Sequence, residues 1–495
     1  MSKTYLPYQP TQSFLLPPSP LDWLPEDHLA RFVMDTVGEL DLSDIFAYYE
    51  REVRGYPPHH PKMMVALLLY AYCVGVASSR KIEKRTHEDV AFRVIAANTH
   101  PDHTRISEFR RIHLPALTRL FVQVLRLCQK MGLVKLGHVA LDGTKIKANA
   151  SKHKAMSQER MIKDTARLEA EVAKLLATAE QADADEDAEH GKGQRGDELP
   201  QELRRRESRL ARIRALQADL VAEAQQQAQQ RQHAESEEAQ AQAVVGEMNN
   251  LRAAKQAASR WDDDDLPPPG PPSRTVPEPM PEHQVPVGKD GAPVAKAQRN
   301  FTDADSRIMK TGDGFIQGYN AQAMVDAEHQ IIVAADVSNQ SPDAEHLIPM
   351  LDRAIDNCQA VPQKMSADTG YYSEANVLRA QSRGVDAYIA TKRQKHGEQQ
   401  GPAEATEPSE ESEIKAQMRS KLAAPEGAGV YSRRKVIAEP PFGQIKNRGF
   451  RGFLLRGMEK VRGEWSLITL THNLLKMHKA RWQGAAMGAC VPVAA

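Results

Sequence analysis

Through the first 130 or so positions apolar residues recur at helical spacing, and the breaks between them fall at Pro, Gly and capping residues. One helix is expected over Leu24 to Glu50 and another over Pro61 to Tyr72, stopping near Gly75. A further helix follows, with Ser78 or Ser79 as its cap. The run ISEFRRIHLPALTRLFVQVLRLCQK, capped by Asp102 or Thr104, reads as one basic helix. Then the period changes: His138 to Leu141 is a continuous apolar stretch ending in an acid, Asp142, which is the pattern of a buried strand.

From Met156 to Gln298 helical spacing returns with a narrow apolar face. Leu168, Val172 and Leu175 share one helix face, and Leu203, Leu210, Ile213, Leu216 and Leu220 share another. An acidic, Gly-containing break at 183–196 separates them, so an antiparallel coiled-coil hairpin is expected. The Gln/Ala tract from Ala222 to Val244 extends it. Ten of the 31 prolines then crowd between Pro267 and Pro293, the composition of an extended or disordered linker.

Strand periodicity resumes afterwards. Phe315 to Val325 and Ile331 to Val337 read as strands joined by a tight DAEHQ turn, Asp343 to Asn357 as a helix, and Gln363 to Asp368 as a strand ending in Asp-Thr-Gly. A helix from Ser373 to Ser382, a strand DAYIAT, an acidic loop, and basic helical sequence from Tyr431 complete the chain. With the strand before Asp142, the order is strand, strand, strand, helix, strand, helix, strand, helix, which is the ribonuclease H-like order. The expected fold class is therefore α/β plus α. It comprises a tail (1–20), a helical N-terminal domain (21–132), and a ribonuclease H-like mixed-sheet catalytic domain (133–155 and 299–480). A helical insertion (156–261) and a Pro-rich linker (262–298) interrupt the catalytic domain, and a second tail occupies 481–495.

Charge changes the picture only locally. Lys plus Arg and Asp plus Glu both number 65, so net charge points to no partner. Yet Arg105 to Lys154 carries eleven Lys/Arg against Glu108 and Asp142, and Tyr431 to Lys479 carries eleven against three acids. The balancing acid sits in low-complexity segments. Four scattered cysteines form no CxxC pair, and the longest apolar run, Met63 to Ala77, is too short to span a bilayer. With no apolar leader at its start, the chain is expected in the cytoplasm with the nucleoid DNA. No GxxxxGK[ST] loop is present, so no nucleotide cofactor is expected.

Asp142 and Asp368 both follow apolar strands. In a ribonuclease H-like sheet such acids lie on neighbouring strands and can share hard divalent cations, which take oxygen ligands. Asp-Gly and Asp-Thr-Gly are equally ordinary turn sequences, and spacing alone leaves both readings open.

Longer blocks carry a resemblance. ALDGTKIKANASKHKAMS, QGYNAQAMVD, SADTGYYSEAN and EPPFGQIKNRGFRGFLLRGMEKVRGEWSLITLTHNLLKMHK together resemble insertion-sequence transposases of the DDE type. GYPPHHPKMMVALLLYAYCVGVASSRKIEK and PDHTRISEFRR resemble the helical N-terminal domain those enzymes carry. The resemblance implies a metal-dependent polynucleotidyl transferase whose acids Asp142, Asp368 and Glu439 hold Mg²⁺ or Mn²⁺, two ions together. Such an enzyme cleaves DNA at the element's terminal inverted repeats and joins the freed 3′-OH to target DNA, as a homodimer or higher oligomer when two ends are synapsed.

Of the family's Tyr, Arg, Glu and Lys signature, Glu439 and Lys446 keep their interval, whereas Lys435 stands where Arg is usual and Tyr431 lies one residue early. Pro440 and Pro441 are expected to put Glu439 at a helix boundary. Glu464, the other acid nearby, reads as part of a packing helix. Arg105, Arg110, Arg111, Lys145, Lys147, Lys446, Arg448 and Arg451 are the expected DNA contacts, because cations flanking an acidic cluster hold a backbone that the acids repel. The rival expectation is a catalytically inactive, transposase-derived DNA-binding or assembly protein with Glu439 displaced by its prolines.

Overall fold

The computed structural model describes residues 19–51, 57–190, 205–230, 277–312, 314–392 and 412–486. The N-terminal part is helical: α1 (Leu29–Glu39), α2 (Ser43–Glu50), α3 (Pro61–Cys73), α4 (Ser79–Glu88), α5 (Val90–Ile95), α6 (His103–Ile112) and α7 (Leu114–Lys130). Two expected helices are each divided. Between α1 and α2 the Gln123 side chain of α7 accepts the Asp41 N–H at 2.8 Å and donates to the Asp41 carbonyl at 3.0 Å, holding the break open while Leu40 and Leu42 are buried. Between α6 and α7, Pro115 has no N–H to continue the first helix but suits the first turn of a new one. Asp102 caps α6 by accepting the Thr104 and Arg105 N–H groups.

The sheet is built from β1 (His138–Lys147), β4 (Arg307–Thr311), β5 (Gly314–Asp326), β6 (Ile332–Ser338), β7 (Lys364–Ala367) and β8 (Asp386–Ile389), in the order β4-β5-β1-β7-β8 with β6 also on β5. β1, β5 and β6 are antiparallel; β7 and β8 join parallel to β1. The expected strand order is thus met, with β4 as an addition. One expectation fails: β1 does not end at Asp142 but pairs with β5 as far as Lys147↔Gly318. Gly143 is a close-approach residue inside a strand, since a Cβ there would lie 2.3 Å from Gln322 Nε2 and 3.0 Å from the Tyr371 hydroxyl.

Helices α10 (Leu347–Cys358), α11 (Glu374–Ser382), α12 (Glu413–Ala423), α13 (Pro425–Asn447) and α14 (Met458–Ala486) complete this part. α14 packs on β6 with one side and on α7 and α3 with the other, so the helical region and the sheet share one core. Its Trp465 is buried and donates to the Gln322 carbonyl at 3.0 Å, and Asn473 bonds both the N–H and the carbonyl of Ile332 at 2.9 Å. No helix of the described residues is long and apolar enough to cross a membrane.

The insertion leaves and re-enters through a short antiparallel pair, β2 (Ala155–Ser157) with β3 (Gln298–Asn300). α8 (Gln158–His190) and α9 (205–230) pack Met161 and Leu168 against Leu210, Ile213 and Leu216. The side chains of Leu175 and Leu203 lie outside the described residues. Helical structure to His190 replaces the first half of the expected break at 183–196. The Pro-rich linker also differs from expectation in its second half. Met280 enters the main core, Val285 packs with Leu220, Ala224 and Ala297, and Val287 bridges to Pro293, so residues 277–297 are a packed strap. Residues 262–276 and the acidic loop at 393–411 lie outside the described residues.

The seam between the helical region and the sheet depends on Gly75. At φ +78° it ends α3 with the Val76 N–H on the Ala71 carbonyl at 2.7 Å and its own N–H on Tyr72, a Schellman cap. A Cβ on Gly75 would stand 2.1 Å from the Arg448 carbonyl oxygen. Gly75→Ala is expected to cost about 2–4 kcal/mol, from left-handed strain plus overpacking against backbone. Gly132→Ala, at φ +72° with nothing nearer than 3.9 Å, should cost only the strain, about 1–2 kcal/mol. Urea unfolding of both variants checks this, and equal losses would remove the close approach as a source of stability.

Candidate active site

The β1–β7 pairing runs His138↔Lys364, Val139↔Met365 and Ala140↔Ser366. Two residues further along each chain stand Asp142 and Asp368, side by side where β7 stops and β1 continues. Asp368 also caps a short 3₁₀ turn, accepting the Gly370 N–H at 2.9 Å, so the turn reading of Asp-Thr-Gly and its place beside Asp142 hold together. Asp142 accepts the Gly143 N–H at 2.8 Å and faces the Arg434 guanidinium at 3.6 Å. Burial raises the Asp142 carboxyl to about 6, and the charges of Asp368 and Glu439 add to that rise against the pull of the Gly143 N–H and Arg434.

Glu439 therefore lies within electrostatic reach of Asp142. It does so from the interior of α13, not from a helix boundary. A helix crossing Pro440 and Pro441 leaves the carbonyls of Val436 and Ile437 without their usual donors. Gln330, in the tight β5–β6 turn, donates its side-chain amide to the Val436 carbonyl at 2.9 Å and satisfies the first of them. α13 crosses β1, β7, β5 and β8, which brings its residues over the strand ends. Arg434 is buried there beside Asp142 with its guanidinium 6.0 Å from the Tyr431 ring, while Lys435 is exposed. Glu464 is elsewhere. It is fully buried in α14 and accepts the backbone N–H groups of Leu454 and Leu455 at 2.9–3.1 Å, fixing the loop after α13.

A polar group that the sequence reading passed over adjoins the acids. Asp343 accepts from Lys145 Nζ at 2.9 Å, Asn320 Nδ2 at 2.7 Å and Gln322 Nε2 at 3.1 Å, and the Tyr371 hydroxyl donates to Gln322 Oε1. Burial, then the charges of Asp343, Asp142 and Asp368, hold the Tyr371 phenol protonated far above its ordinary range. The available signal was Asn320 and Gln322, two amides at strand period within an otherwise apolar strand: both face the same way and are fully buried.

The expected DNA contacts divide. Arg105 and Arg111 are exposed, each 3.9 Å from Glu108, and Lys147 and Arg451 are exposed near one another through the Phe453 N–H on the Lys147 carbonyl. Lys446 reaches β1, donating to Thr144 Oγ1 at 2.8 Å. Three depart from expectation. Arg110 is only 6% exposed and donates to the Tyr72 hydroxyl at 3.0 Å and the Ala77 carbonyl at 2.9 Å, so it is a core tie. Arg448 is packed on Phe450 and against Thr471, where burial lowers its pKa. Lys145 is engaged by Asp343.

The donor set suits a hard cation in kind, because carboxylate oxygens are what Mg²⁺ and Mn²⁺ take, and a cation would offset the burial and the charges of Asp368 and Glu439 that oppose ionisation of Asp142. Among the described residues no three Asp, Glu, His or Cys side chains are gathered closely enough to form a ligand cage.

A mixed sheet of this order, flanked by helices and carrying acids on adjacent strands, defines a ribonuclease H-like α/β domain joined to a helical N-terminal region. Residues 284–474 match the family model described as transposase DDE domain, and residues 18–111 match the model described as transposase domain (DUF772). The chain belongs to the DDE-type transposases of insertion sequences, and is thus a metal-dependent polynucleotidyl transferase with DNA as substrate. No curated protein and no solved structure matches it. The DDE match includes Asp368, Glu439 and Lys446 and begins beyond Asp142, whose place in the site rests on strand pairing.

Asp142 gives a pH test. Its folded pKa, about 6, exceeds the unfolded value of about 3.9, so ionisation is disfavoured by the fold. The stability this group contributes is present at pH 4 and lost as pH rises through 6, about 2–3 kcal/mol in all. Asp142→Asn does not titrate there and should keep that stability at neutral pH. Unfolding free energies of the two proteins should lie closest in acid and diverge by pH 7.5, the variant gaining about 2–3 kcal/mol relative to the wild type; parallel pH profiles would show that Asp142 ionises as if in water.

Proposed function

We propose that this transposase binds DNA at element ends, hydrolyses a phosphodiester there, and joins the freed 3′-OH to target DNA. The observation that carries the reading is the juxtaposition of Asp142 in β1 with Asp368 just past the end of β7, with the charge of Glu439 felt at Asp142. These three acids are the residues we assign to hold the divalent ions, Mg²⁺ or Mn²⁺ and two in number, which would have to draw them closer than they stand in this structure. The chemistry a bound divalent cation supplies is neutralisation of charge developing on the phosphate and activation of the attacking oxygen.

The chain's own residues do the rest. Arg434 offsets the charge of Asp142 when the acids stand alone. Lys446, anchored at Thr144 two residues beyond Asp142, is placed to hold a phosphate beside the scissile bond. Arg105, Arg111, Lys147 and Arg451 are exposed and suited to backbone contacts, with the helical region (21–132) engaging the ends. Arg110, Arg448 and Lys145 support the fold. Two ends must be brought together for joining, so we assign a dimer or larger assembly to that state.

Asp142→Asn, Asp368→Asn and Glu439→Gln keep side-chain volume while removing the charge that holds cations. Each is expected to abolish Mg²⁺-dependent cleavage of DNA carrying the flanking inverted repeats while leaving end binding within a few fold. Glu464→Gln should cleave, at the expense of about 1–3 kcal/mol of stability, because its amide turns a donor toward backbone N–H groups. Cleavage by Glu439→Gln with loss in a folded Glu464→Gln would move the third acid; a wild-type protein that binds ends but never cuts would make it a DNA-binding relic.

A further inference from the structure

The insertion carries a cationic groove at its base that the catalytic site does not explain. Its cavity, about 740 Å³, is lined by Lys154 just before β2, Arg160 on α8, Arg205, Arg209 and Arg212 on α9, and Phe301 just after β3. No acid is among its lining residues. The ordinary explanation for arginines on a helical hairpin is ion pairing across it, and α9 does this with its other side: Arg206 meets Glu171 at 3.1 Å and Arg214 meets Glu169 at 2.5 Å. The groove arginines differ. Among the described residues Arg205 and Arg209 have no acidic partner, and Arg160 has only Asp164 at 3.9 Å. Arg212 donates Nε to the Phe301 carbonyl at 3.1 Å and lies 5.3 Å over that ring, which orients the guanidinium without neutralising it.

Five cations around one open groove repel one another, and what relieves them is a polyanion. Arg205, Arg209 and Arg212 span roughly 10 Å of helix, a length over which one DNA strand presents about three phosphates. Position matters as well. Twelve residues separate Asp142 from Lys154, so the groove lies within about 40 Å of the acids, roughly one turn of duplex or slightly more. We propose that this groove is a second clamp for the duplex DNA backbone, holding phosphates no farther than about one helical turn from the cleavage site. Its position relative to the cut rests on the proposed catalytic role of β1 and β7; its affinity for duplex does not.

The test uses the full chain and a 40-base-pair duplex of arbitrary sequence, with binding measured between 50 and 300 mM salt. In the triple variant Arg205→Gln/Arg209→Gln/Arg212→Gln the slope of log K against log salt should shrink by about 2.7, at about 0.9 per phosphate contact, with affinity at 100 mM salt down at least tenfold. The triple Arg→Lys variant should retain the wild-type slope. The assay reads binding without cleavage, which separates this result from the cleavage reading: loss of slope in a protein that never cuts leaves the clamp standing. An unchanged slope in the Gln variant overturns the clamp, as does an equal loss in the Lys variant, which would be structural. Loss confined to an RNA of the same length would assign the groove to RNA and overturn it too.

Discussion

The charges of Asp368 and Glu439 add to burial in opposing ionisation of the half-buried Asp142, and the surrounding structure is arranged to withstand that repulsion. A flexible chain would relieve it by moving the acids apart. Here β1 is fixed by antiparallel pairing to β5 along its whole length, and β5 is held in turn by β4 and β6. Beneath them Trp465 and Asn473 of α14 bond the backbone of β5 and β6. Strand pairing therefore fixes Asp142, and the same pairing fixes Asp368 through the adjacent strand. Burial is the larger reason that Asp142 remains a weak acid, and Arg434 and the Gly143 N–H offset only part of it and of the repulsion.

The third acid is placed by a helix that local rules argue against. Two consecutive prolines inside α13 remove two hydrogen bonds and crowd the preceding turn, an effect that would usually end a helix. Burial opposes it. Ile437, Ala438, Phe442 and Ile445 are buried in the main core on either side of the prolines, and Gln330 satisfies the freed Val436 carbonyl from another element. Tertiary packing thus decides the conformation, and it carries Glu439 to the strand ends.

This explains how much could be read from the sequence. The strand and helix order around Asp142 and Asp368 was legible because short continuous apolar runs and helical faces such as Leu347, Ile348 and Leu351 report burial directly. The continuation of β1 through Asp142-Gly143 was not, because the reason for that glycine is the Gln322 amide, 179 positions away in the chain and touching it only through the fold. The division of α1 from α2 by Gln123 and the rescue of α13 by Gln330 are of the same kind. Single side chains from distant segments correct local propensity, and no periodicity records them.

Charge shows the same limit from another side. Arg110 and Arg111 are neighbours in one helix, yet one donates to Tyr72 and Ala77 in the core and the other stands in solvent, because successive residues on a helix point about 100° apart. A basic segment is thus divided by helix geometry into cations that hold the protein together and cations free to hold something else. Along β1 and the segment after it the division follows distance from the acids: Lys145 is engaged by Asp343 close to Asp142, whereas Lys147 and then, beyond the strand, Lys152 and Lys154 are exposed. Free positive charge accordingly increases away from the carboxylates. A polyanion drawn to this strand is attracted most strongly at its far end and repelled at its middle, so under the proposed function the acids can be approached by DNA only because the cations beyond them, together with the bound cations, outweigh their repulsion.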